Sequence, residues 1–142
     1  MTIDNECQEE IIANLNLSTW IEFKLRKYNE AKENNHKAIE KTAHRNVAAL
    51  VGRFYILLRG CDFAGAEDQL KKLKELQSST DGETLMNEAR AELAYSYFTL
   101  GRAVNISLSI EMYTQVIYKQ PEKYVWKYRL GLAHRRATHR DM

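Results

Sequence analysis

Hydrophobic residues recur along the chain every three or four positions, with charged and polar residues between them. The clearest example is the segment FAGAEDQLKKLKEL, in which the apolar positions are Phe63, Ala66, Leu70, Leu73 and Leu76. This spacing is typical of one apolar face of an α-helix, because a half-buried strand would alternate with a period of two. One proline and six glycines in the whole chain leave few interruptions. The pattern therefore predicts an all-α fold.

Helix-ending residues divide this pattern into about seven helices. Glycine and proline end helices, whereas Asn, Asp and Ser cap them. Such residues occur at Asn46, at Gly60 to Asp62, in the segment SSTDG, at Gly101 to Asn105, and at Pro121.

The predicted helices form two alternating, self-similar sets. The segments YNEAKENNHKAIE and FAGAEDQLKKLKE superimpose when Tyr28 is placed over Phe63, and SIEMYTQVIYKQP continues this set. The segments LVGRFYILLRG, ELAYSYFTLG and RLGLAHRRA form the other set and share an apolar residue followed by a small one, namely Gly52, Ala94 or Gly131. Small residues at regular intervals allow helices to cross at close range. An irregular bundle with chance periodicity is the alternative.

These segments resemble the tetratricopeptide repeat, a pair of helices about 34 residues long with a Leu-Gly pair, Tyr, Ala and a closing Pro. The resemblance implies a helical-pair solenoid, with antiparallel pairs stacked into a superhelix. We expect a single domain over residues 1–142 with repeats at about 9–43, 46–78 and 83–121. A half repeat at 122–140 suggests part of a longer repeat protein, unless the last helix is itself a cap.

Residues 45–138 also resemble the interferon-induced proteins with tetratricopeptide repeats, the IFIT family. The resemblance rests on an extended turn in GRAVNISLS, between Gly101 and Ser109, followed by the phrase YTQVIYKQPE. It implies a non-catalytic module that holds single-stranded RNA by its 5′ end in an innate antiviral response. A groove aromatic of that family coincides with Tyr95.

The chain shows no pattern of an enzyme or of a metal or cofactor site. His134 and His139 are five residues apart, whereas a metal-binding pair on one helix face needs a spacing of four. Cys7 and Cys61 are isolated, and the glycine-rich phosphate-binding motifs do not occur. We therefore expect no catalytic residues, no metal and no cofactor.

A solenoid of helix pairs presents a concave surface, and counting from the small residues predicts which side chains line it. Cations and aromatic residues are interleaved there, a combination that can stack bases and neutralise phosphates. Packing within the groove wall is the alternative role of the tyrosines. The candidate binding residues are Arg53, Tyr95, Phe98, Tyr128, Arg129, Arg135 and Arg136.

Charge supports a binding role at the C-terminal end. The net charge is only +2, yet from Lys119 onward the chain holds seven Lys and Arg residues against two Asp and Glu residues. The acidic start MTIDNECQEE lacks the pattern of a secretory signal, and no apolar run reaches the roughly 18 residues of a membrane span. We expect a cytoplasmic protein that does not enter a membrane.

Protein binding is the alternative to RNA binding. An adaptor would bind a peptide or helix, or associate with a second copy through an apolar stripe at Val125 and Leu132 of the last helix. A clamp for the C-terminal carboxylate of chaperone tails is disfavoured. Of the Lys, Asn and Arg positions such a clamp requires, only Arg129 fits, and Ala49 and Glu92 stand at two of the others.

Overall fold

The computed structural model describes the backbone of residues 3–141 and the side chains of residues 8–139. Within these residues the chain forms seven α-helices and no strand, which confirms the prediction of an all-α fold with about seven helices. The helices are α1 (Ile3–Lys24), α2 (Tyr28–Lys41), α3 (Val47–Arg59), α4 (Phe63–Ser78), α5 (Gly82–Leu100), α6 (Ala103–Lys119) and α7 (Tyr124–Asp141).

Two helix starts are fixed by the side chains that the sequence indicates. The Asn46 side chain accepts a hydrogen bond from the Ala49 N–H at 2.8 Å, at the start of α3. Asp62 accepts one from the Gly65 N–H at 2.9 Å, at the start of α4. Each cap satisfies a backbone N–H that has no partner within its helix.

The predicted extended turn between Gly101 and Ser109 is wrong. Helix α6 begins at Ala103, so only Gly101 and Arg102 separate it from α5. Gly101 adopts a positive φ of 76°, which glycine tolerates and which ends α5 abruptly. Ser109 lies inside α6 and is fully buried. One feature that suggested the IFIT resemblance is therefore missing from the structure.

Contacts divide the chain into two compact units, the first formed by residues 8–86 and the second mainly by the residues from Asn87 onward. In the first unit, α3 packs against α2 and α4. Its core contains Ala38, Ile39 and Ala49, with Leu15 packed against them. The expectation of one repeat domain over residues 1–142 stays a prediction, as does the stacking of helix pairs into a superhelix.

The second unit is built around an aromatic core that joins three helices. Ala91 and Ala94 of α5, Tyr113 and Val116 of α6, and Trp126 of α7 form one buried cluster. Because alanines occupy the α5 side, the two large rings have room to pack between the helices. This core fixes α5 and α7 in the same unit.

The three small residues of the repeat pattern lie in different surroundings. A Cβ added at Gly52 would lie 3.0 Å from Nδ2 of Asn35 on α2, so that helices pass close to each other at this point. Ala94 is fully buried, and its carbonyl accepts a hydrogen bond from the Ser109 hydroxyl at 2.9 Å. A Cβ added at Gly131 would meet no atom within 4 Å. Two of the three positions are close contacts, and Gly131 is not.

Candidate nucleic-acid interface

Helices α5 and α7 bring four of the predicted binding residues together in two pairs. The guanidinium carbon of Arg129 lies 4.4 Å from the centre of the Tyr95 ring. That of Arg136 lies 4.3 Å from the centre of the Phe98 ring. Both distances are well within the roughly 6 Å at which a cation is attracted to an aromatic face. We call Tyr95, Phe98, Arg129 and Arg136 the arginine–aromatic cluster.

Arg136 is held in place by a second interaction at the end of α5. Its Nη1 donates a hydrogen bond to the Phe98 carbonyl oxygen at 2.9 Å. Carbonyl groups in the last turn of a helix have no partner in the helix, and a cation there is favoured by the helix dipole. The Arg136 guanidinium therefore contacts Phe98 twice, once at its ring and once at its backbone carbonyl.

The Arg136 guanidinium remains accessible to a ligand. Its side chain is exposed, and none of the described carboxylates pairs with it. A guanidinium has five N–H donors in a planar fork that matches phosphate geometry. Arg129 is half-buried and makes additional interactions. The two arginines are therefore unequal, and Arg136 is the one better placed for new contacts.

Two further predicted residues lie on the neighbouring face of α7. Tyr128 is 68% exposed, and Arg135 is exposed as well. A separation of seven residues puts them two turns apart on one side of the helix. Sequence reasoning missed Tyr124, which is 74% exposed and four residues before Tyr128, a spacing that would have revealed it. We call Tyr124, Tyr128 and Arg135 the tyrosine face of α7.

The remaining predicted residue, Arg53, belongs to the first unit. It lies on α3 and is half-buried. Its participation in a shared binding surface stays a prediction.

Other kinds of site find little support among the described residues. No group of three or more His, Cys, Asp or Glu side chains in that part of the chain is arranged to hold a metal ion. Cys61, in the turn before α4, is exposed and not in a disulfide. None of the helices searched there combines the length and apolar character needed to cross a membrane.

Comparisons of the chain with protein-family models, with curated proteins and with solved structures find no match. The repeat and IFIT resemblances consequently rest on residue spacing alone.

Proposed function

We propose that the protein is a non-catalytic helical-repeat module, similar to the IFIT family, that binds single-stranded RNA at the arginine–aromatic cluster. The observation that carries this proposal is the pairing of Arg129 with Tyr95 and of Arg136 with Phe98. Cytoplasmic localisation, which the sequence predicts, and a role in innate antiviral defence, which the family resemblance implies, belong to the same proposal.

The cluster supplies the two interactions that bind single-stranded nucleic acid, namely base stacking and hydrogen bonding to phosphate. Base stacking on a flat side chain contributes about 1–3 kcal/mol per base and tolerates any sequence. Each guanidinium lies over one face of its ring, so a base stacks on the outer face of the guanidinium. The N–H groups of Arg136 that are not bonded to the Phe98 carbonyl are then free to donate to a phosphate.

The spacing of the arginines sets a minimum size for the ligand. Arg129 and Arg136 are separated by two helical turns, which is about 10 Å along the axis of α7. A single phosphate cannot span this distance, whereas an extended strand can. The tyrosine face of α7 and the basic residues that follow Lys119 would continue the surface along the same helix.

Salt dependence and paired variants test the proposal. Fluorescence anisotropy with a labelled single-stranded oligouridylate should show binding that weakens steeply between 50 and 200 mM salt, because each phosphate contact releases counterions. Replacing both arginines, Arg129→Gln with Arg136→Gln, should lower the affinity at least tenfold at low salt. A matched control, Lys71→Gln with Lys74→Gln, removes the same charge from exposed positions of α4 and should change it less than twofold.

Two results would overturn the proposal. One is absence of binding at low salt, and the other is an equal loss of affinity in the arginine and lysine variants, which would indicate a nonspecific charge effect. Circular dichroism of each variant establishes that it is folded. Comparing oligonucleotides with a 5′-triphosphate and with a 5′-hydroxyl decides whether the strand is held by its end.

Self-association is a second candidate function, and one observation favours it. Tyr124 and Tyr128 are exposed, and nothing described lies within 4 Å of a Cβ added at Gly131 on the same helix. A small residue flanked by exposed rings suits the close approach of a helix from a second copy. The predicted stripe at Val125 and Leu132 is half-buried instead, so these tyrosines replace it as the contact surface.

Light scattering separates this candidate from RNA binding. If a second copy packs on the tyrosine face, the protein should be dimeric or larger, and Tyr124→Ser with Tyr128→Ser should return it to a monomer. A chain that is monomeric at high concentration excludes self-association and leaves the RNA proposal untouched.

A further inference from the structure

A recess of about 590 Å³ lies between α5 and α6 in the second unit. Its volume falls within the range of small-molecule sites, about 300–1,000 Å³. The lining contains two cations, three side chains that form neutral hydrogen bonds, one tyrosine and no carboxylate: Arg90, Lys119, Asn87, Thr114, Gln115 and Tyr118. None of these residues belongs to the arginine–aromatic cluster.

The most buried part of the recess carries a hydrogen-bond acceptor. Asn87 is only 2% exposed. Its Nδ2 donates to the Val116 carbonyl at 3.1 Å and to Oε1 of Gln120 at 2.7 Å. Both amide hydrogens are used in this way, so the amide is fixed in orientation and only Oδ1 remains to serve a ligand. An amide oxygen accepts hydrogen bonds, so this lining residue favours a ligand with a hydroxyl or amine group.

The two cations give the recess a positive character. Arg90 and Lys119 are exposed, and no described carboxylate pairs with either of them. A phosphate group can therefore be bound without displacing an existing ion pair. Charge-assisted hydrogen bonds of this kind are about twice as strong as those between neutral groups.

Tyr118 adds a flat apolar surface at the rim. It is 88% exposed, the largest exposed fraction among the large hydrophobic residues described. A ring exposed in this way offers a flat face on which a planar ligand can stack. The recess thus combines a ring surface, two cations and a fixed acceptor.

We propose that this recess binds a nucleoside monophosphate. The phosphate lies between Arg90 and Lys119, the base stacks on Tyr118, and a ribose hydroxyl or base amine donates to Oδ1 of Asn87. Each part of the lining contacts a part of this ligand. Inorganic phosphate would contact only the two cations, and an unphosphorylated nucleoside would leave the two cations without a partner group. The inference does not depend on RNA binding at the arginine–aromatic cluster.

Calorimetric titration with adenosine 5′-monophosphate, adenosine and inorganic phosphate tests the proposal. The monophosphate should bind at least tenfold more tightly than either of the other two. Replacing both cations, Arg90→Gln with Lys119→Gln, should lower its affinity about tenfold or more, and Tyr118→Ala should lower it as well. The control, Arg102→Gln with Lys74→Gln, removes the same charge from exposed positions outside the recess and should leave the affinity unchanged.

The outcomes against the proposal are specific. Equal affinity for inorganic phosphate and the monophosphate would show that the recess binds only an anion and does not recognise the nucleoside. Unchanged affinity in the Arg90 and Lys119 variant would show that the monophosphate binds at another site. Amide chemical shifts locate it independently, since changes should concentrate at residues 87–90 and 114–119. Binding of the monophosphate that survives Arg129→Gln with Arg136→Gln separates this site from the proposed RNA surface.

Discussion

Two glycines in helix interiors should respond in opposite ways to the same substitution. Gly52 lies within α3 and Gly131 within α7. Replacing glycine by alanine in a helix interior stabilises by about 0.5–1 kcal/mol, because it reduces the freedom of the unfolded backbone. At Gly131 the new Cβ meets nothing within 4 Å, so Gly131→Ala should realise this full gain.

At Gly52 the same methyl group reaches a side chain that cannot easily move. The added Cβ would lie 3.0 Å from Nδ2 of Asn35, which is 3% exposed and donates to the Ala49 carbonyl at 2.9 Å. Displacing this amide leaves its buried N–H donor without a partner, at a cost of about 1–3 kcal/mol. The gain in helix stability partly offsets this cost, so Gly52→Ala should destabilise the fold by about 1 kcal/mol. The unfolding free energies of the two variants should therefore differ by about 2 kcal/mol.

Urea unfolding followed by circular dichroism measures both effects, and a double-mutant cycle isolates their cause. In a protein that already carries Asn35→Ala, the obstacle is gone, and Gly52→Ala should become neutral or stabilising. If Gly52→Ala stabilises the otherwise unchanged protein as much as Gly131→Ala does, the close passage of helices at Gly52 is refuted.

Three further predictions concern stability. Hydrogen bonds from the Ser79 hydroxyl and the Arg45 guanidinium lower the pKa of Asp81 from its ordinary value of 3.8. A lowered pKa stabilises the fold at pH values above the pKa of the unfolded chain, and this contribution is lost as pH falls through the folded pKa. The difference in urea midpoint between the natural protein and Asp81→Asn should therefore be present at pH 7 and should shrink as pH falls below the ordinary pKa of 3.8. Trp126→Ala removes a ring that is only 6% exposed and should cost about 3–5 kcal/mol in urea unfolding, and a loss below 1 kcal/mol would contradict its place in the core. Asn46→Ala removes the cap of α3 and should cost about 1 kcal/mol by the same assay, with Asn46→Asp as the control that keeps an acceptor.

Much of the helix layout follows from local chemistry that the sequence displays. Asn46, Asp62 and Gly101 end or cap helices at the predicted places, because their effect depends on a few neighbouring backbone groups. The turn between α1 and α2 had no such signal, since it contains neither glycine nor proline, and Arg26 adopts a φ of 63° there. Local backbone hydrogen bonds close this turn, from the Arg26 N–H to the Phe23 carbonyl and from the Lys27 N–H to the Glu22 carbonyl, and a pattern of residue types does not display them when the cap is not glycine.

The candidate binding residues likewise depend partly on local spacing, which the sequence displays, and partly on contacts between helices, which it does not. A phase count along the helices selected Tyr95 and Phe98, and the basic C-terminal segment added Arg129 and Arg136; the structure pairs these rings and arginines across α5 and α7. The count placed both rings on one side of α5 because residues three apart in a helix lie near each other. It could not indicate which arginine stacks on which ring, since that depends on the register between two helices.

One error in the hydrophobic pattern exchanges an apolar and a polar position of α4. On α4 the pattern assigned Leu70 to the buried stripe, yet Leu70 is 41% exposed, whereas the neighbouring Gln69 is 2% exposed. A hydropathy pattern places glutamine outside, because burying an amide is unfavourable unless it is hydrogen-bonded.

Three other buried polar side chains show how such burial is stabilised. The side chains of Asn35, Asn87 and Ser109 each donate to a backbone carbonyl of another helix, at 2.9, 3.1 and 2.9 Å respectively. Leucine in any of these places would remove this additional hydrogen bond to the carbonyl and would push the helices apart. A hydrogen bond to one particular carbonyl forms only when the two helices are aligned in one register, so these buried polar groups select the alignment of each helix pair. The apolar stripes supply the driving force that packs the helices together. Ser109 and Asn87 in this way set the alignment of α5 with α6, and a pattern of apolar residues does not reveal their hydrogen bonds.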